Sequence, residues 1–165
     1  MTDDGWLNPQ EQRAWRSFTA MRQQLQRHLE RHLQQETGLS GSDYEILVNL
    51  SEAPGGRMRA FELAAATDWE KSRLSHHLSR MAKRGLLSRE AEGTRYPDVV
   101  LTAAGHAAIQ AAAPAHVARV RELFVGVLGT DRLMMLGEAA DEVLAALEEH
   151  RRADSTGGPI ADFRA

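Results

Sequence analysis

Between Lys71 and Arg84 the chain reads KSRLSHHLSRMAKR. Wound at about 100° per residue, this stretch puts Leu74, Leu78 and Met81 on one side of a helix, with His77 at their edge. Ser72, Ser75, His76, Ser79, Arg80 and Lys83 take the opposite side, and Arg73 and Arg84 flank it. A helix that needs only solubility mixes glutamates among its lysines, whereas this one has no carboxylate over its whole length. Short hydroxyls and imidazoles let a helix approach a duplex closely. Arginine adds a fork for phosphate, or for O6 and N7 of guanine. The stretch implies a helix shaped for a major groove.

Its neighbours support that. Upstream, Phe61, Leu63, Ala64 and Ala65 suit a short helix that breaks around Thr67-Asp68, with Trp69 as a packing residue in the turn. Downstream, Gly85 closes the basic helix in the position that favours a left-handed backbone. The period then changes to two, and Leu87–Glu92 and Arg95–Leu101 read as strands around a Gly93-Thr94 turn. Two short helices, a third with a basic outer face and a hairpin make a winged helix-turn-helix. The first of those helices opens with a capping box at Ser42–Glu45 and stops at Ala53-Pro-Gly-Gly56.

Outside this module lie long amphipathic arms. Trp15, Phe18, Met21, Leu25, Leu29 and Leu33 recur every three or four residues along one helix from Glu11 to Gln35, ended near Gly38. Thr102 caps an alanine-rich helix that Pro114 kinks and that resumes through Val117, Val120, Leu123, Phe124 and Val127. Gly129-Thr130 restarts the chain into a last helix carrying Leu133, Leu136, Ala140, Val143, Leu144 and Leu147 on one face. These stripes exceed what one subunit of this size buries, which points to a homodimer with two recognition helices about one DNA turn apart on a pseudo-palindromic site. The fold class is mainly α with a small β-hairpin wing. Residues 1–165 read as a single domain, with a DNA-binding core at about 43–101, dimerisation helices at about 8–36 and 103–151, and a loose tail at 153–165.

Charge follows the same division. The 165 residues carry a net charge of −3, yet residues 57–96 hold nine basic and five acidic side chains, a net of +4, which leaves −7 for the rest. A phosphate backbone meets the local field, so a basic module between acidic arms suits DNA despite the total. The absence of cysteine excludes disulfide scaffolds, thiol nucleophiles and cysteine-ligated metals. The N-terminal sequence has no secretory pattern, and the uncharged run Val99–Ala118 is too polar for a lipid-facing helix, so the expectation is a cytoplasmic protein without membrane contact.

Order and spacing of several pieces are similar to the MarR family of transcriptional regulators. They are Leu39-Ser40 with Asp43-Tyr44-x-x-Leu47, then Arg59-Ala-Phe-Glu-Leu63-Ala, and Lys71-Ser-Arg-Leu-Ser75 with Arg80-Met81. Arg84-Gly-Leu-Leu-Ser-Arg89 and Val100-Leu-Thr-Ala-Ala-Gly105 complete the set. The resemblance covers roughly residues 10–150. It implies an obligate homodimer, a recognition helix at about Glu70–Arg84 in the major groove and a wing at about Ser88–Leu101 in the minor groove. The family often has Asp-x-Arg before the second wing strand. Here Arg95 takes the arginine place, while Gly93 stands where the aspartate would be.

The reading is therefore a sequence-specific regulator, a dimeric repressor released by a small-molecule effector or stress signal. Phosphate contacts fall mainly to Arg57, Arg73, Lys83 and Arg84, with Arg59 also placed for phosphate. Ser72, Ser75, His76 and Arg80 meet base edges, Arg95 meets the minor groove, and Lys71 and Ser79 complete the DNA-binding set. For Arg57, Arg59 and Arg95 the plainer alternative is a surface ion pair. Trp15 and Tyr44 border a candidate effector cleft, against simple core packing. No cofactor and no catalytic residue is expected: Ser72 with His76 has neither an orienting acid nor elbow glycines. Two other classes stay open, a winged-helix protein-interaction module without DNA binding and a helical-bundle metalloprotein using His28 and His32, which lie four residues apart.

Overall fold

The computed structural model describes residues 5–90 and 97–156. The first helix, α1, spans Pro9–Thr37, two residues beyond the predicted span at each end. Asn8 accepts hydrogen bonds from the Gln10 and Glu11 amides, Glu11 accepts one from the Asn8 amide, and Pro9 occupies the first turn, where its missing N–H costs nothing. Gly38, at φ 70°, ends the helix as expected.

The second helix, α2, spans Gly41–Glu52, and its capping box is Ser40 with Asp43 rather than Ser42 with Glu45. The same serine-to-acid spacing occurs twice in Ser40–Glu45. Ser40 wins because its extended backbone directs the hydroxyl at the Asp43 amide (3.1 Å) while Asp43 Oδ2 accepts from the Ser40 amide (3.0 Å). A single 3₁₀ turn at Pro54–Gly56 leads into β1, Arg57–Arg59, a strand that the period-two reading does not predict. Helices α3 (Ala60–Thr67) and α4 (Lys71–Lys83) follow, joined through Asp68 in the left-handed region, with Arg84 and then Gly85 closing α4.

Strands β2 (Leu87–Glu90) and β3 (Asp98–Leu101) are the described parts of the wing, and the predicted turn at Gly93-Thr94 lies outside the described residues. The antiparallel sheet has the order β1-β3-β2, with Met58 opposite Val99 and Arg89 opposite Val99 on the other side. Helix α5, Ala103–Val120, continues through Pro114. Thr102 caps it as predicted: its hydroxyl donates to the Gly85 carbonyl (2.6 Å) and accepts from the Gly105 amide (3.0 Å). Gly105 packs so closely on the hairpin that a Cβ there would stand 2.0 Å from the Leu86 carbonyl oxygen.

The chain divides into two compact units, Met1–Val120 and Arg121–Ala165. In the first, one core gathers Leu33 from α1, Ile46, Leu47 and Leu50 from α2, Leu63 from α3, Leu74, Leu78 and Met81 from α4, Val99 from β3 and Ile109 from α5. An Arg119–Glu36 ion pair ties α5 to α1. The second unit comprises a π-helical turn, Arg121–Val125, and α6, Gly126–Thr156, interrupted at Gly129 (φ 70°, ψ 170°) where the sequence places a restart. Residues 153–156, predicted as tail, belong to α6 because nothing in Ala153–Thr156 breaks a helix before Gly157.

Candidate nucleic-acid interface

Helix α4 presents two faces, as its periodicity requires. Leu74, His77, Leu78 and Met81 are buried, while Lys71, Ser72, Arg73, Ser75, His76, Arg80, Lys83 and Arg84 are exposed. Ser79 is half-buried and donates to the Ser75 carbonyl (2.9 Å), so its hydroxyl is partly occupied inside the helix. Among the described residues Lys71 and Lys83 form no ion pair, which leaves both ammonium groups for an external anion.

The arginines are arranged differently. Arg73 lies over the Trp69 ring at 4.0 Å, and Trp69 meets His77 edge-on at 5.4 Å. Arg80 Nη2 is 2.7 Å from His77 Nδ1. Arg84 donates to Asp43 Oδ2 (2.6 Å) and to the Gly38 carbonyl (3.3 Å), joining the end of α4 to the start of α2 and the end of α1. Arg57 pairs with Glu90 (2.8 Å) and faces Asp98 (3.9 Å), and Arg59 pairs with Asp98 (2.8 Å). Arg57, Arg59 and Arg84, assigned to phosphate from the sequence, thus already hold carboxylates. Arg95 lies outside the described residues.

Arg89 on β2 is a participant that sequence reading did not single out. Its guanidinium donates to the Ser75 carbonyl (3.2 Å) and the Ser79 hydroxyl (3.4 Å), fastening the wing strand to α4. The signal available for it is strand alternation, which puts Arg89 on the same face as buried Leu87 and its cross-strand partner Val99, the face turned to α4, where its long side chain emerges at the rim. Between α3, α4 and the sheet lies a cleft of about 530 Å³, with apolar walls from Phe61, Leu74, Leu78 and Val99 and a cationic rim from Lys71 and Arg89.

Asp43 is the electrostatic centre beneath α4. Burial opposes its charge, but the Ser40 amide and hydroxyl and the Arg84 guanidinium outweigh that and hold its carboxyl below the ordinary value of 3.8. His77 Nε2 stands 3.0 Å from Asp43 Oδ1 at an angle too oblique for a full hydrogen bond. Burial, aided by Arg80 and Arg73, keeps the His77 pKa below 6.5 despite that carboxylate.

The remaining predicted sites are dispersed. Trp15 is exposed beside Phe18, with ring centroids 6.0 Å apart, while Tyr44 packs on His116 of α5 at 4.4 Å, so the two do not share a ring contact. Burial raises the Tyr44 pKa and lowers that of His116. The His28 and His32 rings meet at 4.5 Å, tilted by 53°, with Glu36 3.9 Å from His32. Among the described residues no group of three side chains is placed to hold a metal ion. None of the described helices is long and apolar enough to cross a membrane.

Residues 40–96 match a family model described as a domain of unknown function, DUF7343. No curated protein sequence matches the chain. Among solved structures, the chain is 41% identical to AbsC, a MarR family transcriptional regulator from Streptomyces coelicolor; the match has a TM-score of 0.83 and covers 87% of this chain and 98% of AbsC. It is 35% identical to Sco3205, a MarR family transcriptional regulator from the same organism solved in complex with DNA, at a TM-score of 0.83 and coverage of 86% and 90%. A mutant MarR from E. coli, complexed with operator DNA, shares the fold at 21% identity and a TM-score of 0.69 over 78% of this chain and 91% of that one.

Proposed function

Since the chain belongs to the MarR family of transcriptional regulators, we propose that it is a cytoplasmic homodimer that binds pseudo-palindromic double-stranded DNA and is released from it by a small-molecule effector. The observation that carries this reading is the exposed face of α4, where Ser72, Ser75, His76, Arg80 and Lys83 stand together without a carboxylate. Lys71 and Lys83 meet phosphates, and Ser72, Ser75, His76 and Arg80 meet base edges. Arg95 reaches the minor groove. Arg57, Arg59 and Arg84 serve first to fix the sheet and α4, so any phosphate contact from them competes with Glu90, Asp98 and Asp43. The second copy covers the apolar side chains that α1 and α6 leave exposed.

Fluorescence anisotropy tests this with duplexes selected from a random pool and with scrambled controls. The selected duplex should bind about 10³-fold tighter than the scrambled one, with affinity falling steeply as salt rises. Arg80→Ala should erode that preference, and Lys83→Ala should weaken both duplexes alike. A protein that enriches no sequence from the pool would be a winged-helix protein-interaction module instead.

A further inference from the structure

His77 is buried, with only 7% of its surface exposed, yet it makes polar contacts on both ring nitrogens. Arginine is always a donor, so Nδ1, 2.7 Å from Arg80 Nη2, must present its lone pair. The ring proton is then on Nε2, facing Asp43 Oδ1 at 3.0 Å. Asp43 is in turn held by the Ser40 amide and by Arg84. The Asp43 carboxylate thus lies close to Nε2, off the line of a full hydrogen bond, while the contact at Nδ1 leads to the Arg80 guanidinium on the exposed face of α4.

We propose that His77 is a specificity-determining positioning residue, which fixes the direction of the Arg80 guanidinium before DNA arrives. His77 occupies one N–H of Arg80 and leaves the other four to fork onto a base edge or phosphate. A long side chain otherwise loses rotamer freedom on binding, and holding it beforehand reduces that loss for the matching sequence alone. The inference rests on the regulator reading, since it concerns which duplex is preferred.

Protonating Nδ1 turns the acceptor into a donor and puts a positive charge against Arg80, so it frees the guanidinium. The charged and titratable groups that face the imidazole are Asp43 from α2 and Arg73 and Arg80 from α4 itself, with Arg84 across Asp43, and Trp69 covers its edge. Exposed His76 is present in wild type and in His77→Asn alike. The difference between these two proteins in the ratio of affinities for selected and scrambled DNA therefore reports on His77.

The test is that ratio, measured for wild type, His77→Phe, His77→Asn, Arg80→Ala and the double variant of His77→Phe with Arg80→Ala. Phe keeps a ring against Trp69 but offers no acceptor, and Asn offers an acceptor that does not titrate. His77→Phe should lose about tenfold in the ratio, the scale of one good base contact, and lose nothing further once Arg80 is Ala. Wild type should lose selectivity as the pH falls below 6.5, while His77→Asn holds its own level. An equal loss from His77→Phe in both backgrounds assigns His77 to packing alone and overturns the proposal, as does an unchanged ratio. Should His77→Phe fail to fold by circular dichroism, the pH profile of His77→Asn decides, and a slope equal to wild type overturns it. A wild type that selects no sequence overturns the regulator reading itself, a result distinct from selective binding indifferent to His77.

Discussion

The two units spend the same residue types in opposite ways. In the first, Leu47, Leu50, Leu63 and Leu78 are at most 1% exposed, and the buried charge of Asp43 has three partners. In α6, Leu144, Val143 and Met135 are 56%, 60% and 67% exposed. Within the first unit α1 repeats the contrast along its own length, since Leu33 joins the core while Trp15, Phe18 and Met21 do not. A closed core needs nothing outside the chain, whereas a continuous exposed apolar stripe is stable in water only against another surface. On the proposed homodimer, the difference separates what folds the module from what assembles it.

The largest test of that contrast is to charge the stripe. Leu144→Asp with Leu147→Asp should leave the far-UV helical signal but convert the proposed dimer to a monomer by sedimentation. Operator affinity should fall about 10²-fold or more, because half-sites then bind independently. Loss of helix in place of loss of the dimer would mean that α6 supports the fold itself.

Next in size is a change confined to the module. Gly105→Ala puts a methyl group 2.0 Å from the Leu86 carbonyl oxygen, a backbone atom that cannot swing away. The cost should be about 3 kcal/mol in urea unfolding, the range of severe overpacking. A cost below about 1 kcal/mol would show that α5 shifts freely on the hairpin.

The smallest effect is the pH dependence of the polar interior. His77 and His116 are held neutral in the folded state, with pKa values below 6.5. The unfolded chain therefore takes up protons first as the pH falls under 6.5, so the melting temperature should decline from there toward the folded pKa values. Asp43 acts in the same direction at lower pH, because its folded pKa lies below 3.8 and its contribution, complete above that value, disappears as the carboxylate is protonated. His77→Phe should flatten the first part of the decline; an unaltered slope would place the titration on other groups.

Much of this was legible because it depends on local periodicity. The core face of α4, the Gly38 and Gly85 stops, the Thr102 cap and the Gly129 restart all follow from residues within one or two turns of each other. β1 was not legible, since Arg57-Met58-Arg59 is too short to show a period and becomes a strand only by pairing with Val99 and its neighbours. An ion pair was an open alternative for Arg57 but not for Arg84, and the partners of both were hidden for a similar reason: Glu90 and Asp43 lie 33 and 41 residues away. From sequence, a cation awaiting phosphate and one already holding a distant carboxylate look alike.

The place of Trp69 gives the molecule an optical probe. Its three tryptophans are Trp6, Trp15 and Trp69, of which Trp6 and Trp15 are 78% and 60% exposed. Trp69 is half-buried and lies under the Arg73 guanidinium and edge-on to the His77 imidazole. Its emission should be the bluest of the three and the least accessible to iodide. An imidazolium quenches indole where a neutral imidazole does not. The fluorescence of Trp69 on acidification should therefore follow the His77 proton with no label attached, and binding of a duplex along α4 should register in the same signal.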